Sequence, residues 1–287
     1  MDNKYSIDIS IIKSLLGGYS ECFAGMSNQQ LENAFLSDHL GSVAFVKKNY
    51  TAGDCFYKVR ADSKIGVDIP VKISKGEEAN GKIIMFVGES VLRNPDDDFD
   101  EDCLLVGTPF AIVGVNKQPE SCDVYKMIFK YWLNKDYQIY VTDYIKKWKQ
   151  GDNYLEGKKN KSFRERSQDL LEKEIEKLAP DYIVSFGNEA ENVIKRIVNA
   201  RKKRKDSPIR AKMINLTHPS NNAKIHWKIQ MYEELIDYLL QRNSDKEKIK
   251  QMEGMKVYKN KVCDDNVARF ANKIIERKIK EYSGYGH

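Results

Sequence analysis

Four short apolar runs constrain this chain more than any other feature. They are Lys82-Ile-Ile-Met-Phe-Val87, Gln138-Ile-Tyr-Val-Thr142, Asp181-Tyr-Ile-Val-Ser-Phe186 and Lys212-Met-Ile-Asn-Leu-Thr217. Each is rich in β-branched or aromatic residues and none alternates cleanly, as a parallel strand covered on both faces requires. Helical spacing separates them. Val124, Ile128, Phe129 and Trp132 share one face before the second run, and Leu170, Leu171, Ile175 and Leu178 share one before the third. Ala190, Val193, Ile194 and Ile197 do so after the third, and Ile229, Tyr232, Leu235, Ile236 and Leu239 after the fourth. Strands alternating with helices mean crossover units. The expectation is an α/β fold: a three-layer α/β/α core with a central four-stranded parallel sheet, spanning residues 79–243.

The flanks are expected to be simpler. Residues 1–78 read as an N-terminal extension packed on the core. Within it Leu31, Ala34 and Phe35 share a face in a helical stretch from Ser27 to about Phe45, and Val67 to Ile73 reads as a short strand. Residues 244–287 read as a helical tail. A polar connection over 244–260 leads into a helix from Asp265 to about Tyr282, with Val267, Phe270, Ile274 and Ile275 as its apolar side.

Several classes fall away on composition. The hydrophobic fraction of 41% supports a packed core, which argues against a disordered chain. The longest apolar runs, such as Ile83 to Val87, are far short of the roughly 20 residues a membrane helix needs. Met1-Asp2-Asn3-Lys4 leads into no apolar block of signal-peptide length. A soluble, cytoplasmic protein with no membrane partner is expected. Cysteines at 22, 55, 103, 122 and 263 are odd in number and contain no CxxC. Reduced thiols are expected, with no disulfide framework, no metal site and no cofactor.

Charge is uneven. Residues 1–150 hold 18 basic and 21 acidic residues, net −3, and residues 151–287 hold 30 and 21, net +9. A polyanionic partner facing the second half would account for this. The basic residues concentrate between Lys195 and Lys212, around Arg201, Lys202, Lys203, Arg204 and Lys205. These five are candidate phosphate contacts, against the plainer alternative of a solubilising loop. The run Asp96-Asp-Asp98 with Asp100-Glu-Asp102 reads as a solvated loop, since it lacks the alternating spacing of a cation site.

In an open parallel sheet, ligands bind outside the carboxyl ends of the strands. After the first run comes Gly88-Glu89-Ser90, after the second Asp143, after the third Gly187-Asn188-Glu189, and after the fourth His218-Pro219-Ser220. Two carboxylates and an imidazole, Glu89, Asp143 and His218, are thereby directed to one edge, and such a set makes a workable site.

These residues carry a resemblance. Strand–Gly-Glu-Ser90, Gly107-Thr-Pro-Phe110, Val141-Thr-Asp-Tyr-Ile-Lys146, Ile183-Val-Ser-Phe-Gly-Asn-Glu-Ala190 and His218-Pro-Ser220, in that order and spacing, resemble the uracil-DNA glycosylase superfamily. The likeness covers roughly residues 82–240 and is closest to the branch with Gly-Glu in its first motif and His-Pro-Ser in its second. It implies an enzyme that flips a base out of DNA and hydrolyses its N-glycosidic bond. Phe110 then matches the aromatic wall that stacks on the flipped base. Gly88 and Glu89 match the motif that positions water for attack on C1′. His218 matches the donor to the base O2, and Ser220 matches a residue that fixes its loop against a phosphate. The chemistry needs such groups, because an oxocarbenium-like sugar and an anionic base develop together.

The chain departs from that pattern in three ways. The Pro-Gly that usually closes the first motif is replaced by Ser90-Val91-Leu92-Arg93 before Asn94-Pro95. Asp143 stands where the family carries a base-reading Asn, and an ionised carboxylate only accepts hydrogen bonds. The four cysteines of the iron–sulfur branch are not in matching positions, so no cluster is expected. These departures keep a second function class open: a catalytically inactive member of the fold that binds a nucleotide or a modified nucleic acid. The sequence leaves the oligomeric state open.

Overall fold

The computed structural model describes residues 3–7, 65–68, 70–75, 81–90, 104–107, 109–111, 121–149, 161–218 and 264–284. Its strands are β1 (Asn3–Ile7), β2 (Ile65–Asp68), β3 (Val71–Lys75), β4 (Ile83–Ser90), β5 (Leu104–Gly107), β6 (Gln138–Ile145), β7 (Lys147–Lys149), β8 (Tyr182–Phe186) and β9 (Lys212–Leu216). Its helices are α1 (Ser121–Leu133), α2 (Lys161–Leu178), α3 (Asn188–Arg204) and α4 (Asp264–Gly284), with a 3-10 turn at Pro109–Ala111. The chain divides into two compact units: Met1–Gln118 with Trp132–Asn215, and Pro119–Tyr131 with Leu216–His287.

In the first unit the α/β expectation holds, with a larger sheet than the sequence pattern implied. The order is β1-β3-β6-β4-β8-β9. The four expected strands are neighbours, and β4 pairs parallel with both β6 and β8. At the start of β9 the Lys212 N–H donates to Asp181 O at 2.9 Å. Toward its end Asn215 Oδ1 accepts from Ser185 Oγ at 3.1 Å, so β9 runs with β8. The correction lies at the other edge, where β3 pairs antiparallel with β6 and β1 antiparallel with β3. The six-stranded sheet is therefore mixed, and the first 78 residues supply two of its strands. The expected single strand over Val67–Ile73 is in fact two. Pro70 has no N–H to give to a ladder and separates β2 from β3. β2 belongs instead to a three-stranded sheet of order β5-β2-β7.

The central strands are buried on both faces. Met85, Val87, Tyr140, Tyr144 and Ile183 pack with Leu171 and Ile175 of α2 and with Ala190, Val193, Ile194 and Ile197 of α3. Their alternates Ile84, Phe86, Ile139, Val141, Val184 and Phe186 are equally enclosed, and Phe86 and Phe186 stack at 5.8 Å. This double cover is why the sequence runs do not alternate. The edge strand β9 does alternate: Ile214 and Leu216 are buried, while Lys212, Met213 and Asn215 are exposed.

The helix ends have local causes. α2 stops where Ala179 takes φ 45, followed by Pro180. α3 begins after Gly187, whose φ 88 and ψ 165 suit glycine alone. It ends on Lys205 at φ 60, with Lys205 N–H donating to Lys202 O and Asp206 N–H to Arg201 O. That pair of bonds is a Schellman cap.

In the second unit, α1 buries Val124, Tyr125, Ile128 and Phe129 on one face, and α4 buries Val267, Ala268, Phe270, Ala271, Ile275 and Ile279. The Tyr131 hydroxyl donates to Glu276 Oε1 at 2.5 Å and ties the two helices. The expected tail helix is present as α4, with Ile274 half-buried. The helices expected over 27–45 and 229–239 and the connection over 244–260 lie outside the described residues. Among the described residues no helix is long and apolar enough to cross a membrane.

Candidate functional site

β4 and β6 run further than their apolar cores, to Ser90 and Ile145. Gly88, Glu89 and Asp143 therefore lie inside strands rather than just after them. The register pairs Gly88 with Asp143. Side chains alternate along a strand, so these two share the face of Phe86 and Val141, while Glu89, half-buried, is assigned to the face of Met85 and Val87.

Gly88 is the pivot of the site. A Cβ on it would collide with Asp143 Oδ1 and come within 2.6 Å of Phe110 Cζ. Only glycine permits so close an approach. Phe110 holds φ 56 and ψ 19, a left-handed conformation that is costly for a bulky residue. Its ring is half-buried and meets Phe186 edge-on, with centroids 5.5 Å apart at 82°. Asp143 is only 3% exposed. The structure thus brings together Gly88, Phe110 and Asp143 and adds Phe186.

On the opposite face of β6, behind Asp143, lies a buried polar group. Lys146 Nζ is 2.9 Å from Glu174 Oε1, and both side chains are 1% exposed. Nζ also donates to Thr142 Oγ1 at 2.7 Å and to the main-chain oxygen of Asp143. Thr142 Oγ1 in turn donates to Glu174 Oε2 at 2.8 Å. Burial pushes the Glu174 carboxyl above its ordinary range, against the pull of Lys146 and Thr142.

His218 belongs to the second unit. Its Nε2 lies 3.2 Å from the Tyr125 hydroxyl. The hydroxyl donates when Nε2 is bare and accepts when it is protonated. Tyr125 is 3% exposed, so it offers His218 a fixed partner. Ser220 and the acidic run 96–102 lie outside the described residues.

The basic cluster divides. Arg201 is 6% exposed. Its guanidinium donates to Glu172 Oε1 at 3.1 Å, to Glu176, and to Ser207 O at 2.8 and 3.0 Å. These carboxylates hold it above its already high range. Arg204 pairs with Asp206 at 2.7 Å and with Glu172. Lys202, Lys203 and Lys205 are exposed. α3 starts at the carboxyl end of β8 and runs back, so its last turn lies toward the strand starts. Its 17 residues span about 25 Å. The cluster therefore sits at the opposite end of the strands from Gly88 and Asp143.

The sequence reading missed Phe186, Lys146, Glu174 and Tyr125 as parts of these arrangements. Glu174 had a signal: it falls on the stripe of Leu171, Ile175 and Leu178, where a carboxylate needs a buried partner. Tyr125 had none, since its partner is remote in sequence. Among the described residues no three His, Cys, Asp or Glu gather to hold a metal ion.

Compared with known proteins, residues 75–240 match the model of one family, described as the Uracil DNA glycosylase superfamily. That is more than half of the 287 residues. No curated protein and no solved structure matches the chain.

Proposed function

The chain belongs to the uracil DNA glycosylase superfamily, and on that premise we propose that it is a monofunctional glycosylase. Its substrate is DNA, from which it flips and excises uracil or a related deaminated or modified base. The observation that carries this reading is the convergence of Gly88, Phe110 and Asp143, with no room for a Cβ at Gly88. An aromatic ring beside a nearly buried carboxylate, packed together over a glycine, suits a planar heterocycle with a polar edge.

In the proposed reaction the C1′–N bond breaks and its electron pair leaves with the base. A water oxygen bonds to C1′ and gives up a proton. Glu89 takes that proton and offsets the positive sugar. His218, oriented by Tyr125, donates to the base oxygen on which negative charge grows. Phe110 stacks on the base, Asp143 reads its edge, and Ser220 steadies its loop against a phosphate. Lys202, Lys203 and Lys205 contact backbone phosphates away from the flipped base. No cofactor takes part.

A second reading is favoured by one observation. Alternation assigns Glu89 to the face opposite Gly88 and Asp143, where a carboxylate would be poorly aimed at C1′. The chain would then be an inactive member that binds modified nucleic acid. The deciding experiment incubates the protein with oligonucleotides carrying uracil, hypoxanthine, xanthine or a 5-substituted pyrimidine, single- and double-stranded. Alkali-labile abasic sites support the enzyme. Binding without cleavage on every substrate supports the binding module.

A further inference from the structure

The Lys146–Glu174 pair is enclosed on the α2 face of β6, opposite the face that carries Gly88 and Asp143. A buried ion pair costs so much desolvation that an apolar pair of similar volume often does as well or better for stability. Stability is thus a weak reason for this pair. What Lys146 touches is more informative. The β3 ladder is registered on Ile139 to Val141. Beyond it, the carbonyl of Asp143 accepts from Lys146 Nζ, and the hydroxyl of the residue before it, Thr142, accepts from the same ammonium. Glu174, fixed on α2, neutralises that ammonium and accepts from Thr142. One side chain therefore grips the strand on both sides of the Thr142–Asp143 peptide, and a helix anchors the grip.

The Asp143 side chain leaves the same peptide on the other face, toward Gly88 and Phe110. Tilting that peptide would swing the carboxylate against the Phe110 ring or away from it. We propose that Lys146 and Glu174 are positioning residues that lock the Asp143 main chain from behind, and so set the edge geometry by which the pocket tells one base from another. This rests on the reading of Asp143 as the base-reading residue. The pair acts through Asp143 and touches no substrate.

The test replaces the pair by Lys146→Met together with Glu174→Leu, which preserves volume and removes both charges. Fluorescence anisotropy measures affinity for oligonucleotides that differ at one position: uracil, hypoxanthine, xanthine, cytosine or an abasic analogue. Excision kinetics are followed on the same set. The expected result is a melting temperature within a few degrees of the native protein, unchanged affinity for the abasic oligonucleotide, and at least about a tenfold loss of preference among bases. Native-like preference in the double variant would make the pair merely structural and overturn the proposal while leaving the pocket reading intact. A native protein with no preference among the bases, in binding or excision, would overturn the pocket reading and this proposal with it. Should the double variant fail to fold, Glu174→Gln decides. It keeps the shape and the Thr142 contact but removes the charge. Blunted preference supports the proposal and full preference overturns it.

Discussion

Where β4 and β6 end, a carboxylate that is 3% exposed faces a glycine and an aromatic ring. Where β8 and β9 begin, Arg201 and Arg204 sit among Glu172, Glu176 and Asp206, and three lysines face solvent. The first end has few polar groups in a low-dielectric setting, where a mismatched polar contact costs most. The second has many charges in water, where each contributes little and salt screens it. On the proposed reading, discrimination belongs to the first end and undirected affinity to the second. A helix about 25 Å long separates them.

The largest effect should come from the imidazole assigned to the chemistry. His218→Ala is expected to slow excision by about two to three orders of magnitude, the size of losing one donor to a developing anion. Affinity for an abasic oligonucleotide should barely change. Single-turnover rates measure this, and a folded variant with native rate would remove His218 from the mechanism. Gly88→Ala comes next. The new methyl meets Asp143 Oδ1 and Phe110 Cζ, and both must move. Displacement of about an ångström at a reacting site costs on the order of a hundredfold, while the overpacking itself costs about 1–3 kcal/mol of stability. Melting curves beside rate measurements separate the two. An alanine that is accepted without loss of rate would mean that the close packing of Asp143 and Phe110 over Gly88 does not govern the reaction.

Asp143→Asn should have a smaller effect, and one of opposite sign for uracil. Where the carboxylate is ionised it offers the uracil O4 a second acceptor and no donor, a mismatch of about 1–3 kcal/mol, or roughly 5- to 150-fold. The native protein is therefore expected to excise uracil poorly, and Asp143→Asn to improve uracil binding or excision by a factor in that range. Efficient uracil removal by the native protein, slowed by the substitution, would put Asp143 in the chemistry instead of in base reading.

How far the sequence reveals this arrangement depends on whether the signal is local. The four central strands and α2, α3 and α4 are legible because burial on both faces, or on one helical stripe, writes itself into a short window of residues. Gly88, Asp143 and Phe110 are legible as candidates because motifs and strand ends mark them. The antiparallel additions β1 and β3 are not, since pairing over some 70 residues leaves no periodic trace and Pro70 breaks the one run that hinted at it. Nor is the extension of β4 to Ser90 and of β6 to Ile145. It turns Glu89 away from Asp143, although both lie toward the same edge of the sheet. The division of Arg201 to Lys205 is equally hidden. Position 201 falls one turn after Ile197 on the buried stripe, but its carboxylate partners come from a different helix.

The smallest effect belongs to the basic end and concerns only affinity. Lys202, Lys203 and Lys205 are exposed, whereas Arg201 is engaged by Glu172, Glu176 and Ser207. A lysine on a phosphate releases counterions, and each such contact adds about 0.7–0.9 to the slope of log affinity against log salt. Replacing the three lysines by Gln is therefore expected to flatten that slope by about two to three units, with the preference among bases unchanged. Arg201→Met should do the reverse. It strips Glu172 of a buried partner and lowers the melting temperature, but leaves the salt slope of the folded protein as it was. Binding titrations across a salt series, run on both variants, give the answer. If the lysine variant keeps the native slope, the end of α3 serves solubility, and the phosphate contacts must be sought elsewhere on the chain. If it flattens the slope and also alters base preference, the two ends are coupled and the division of labour between them fails.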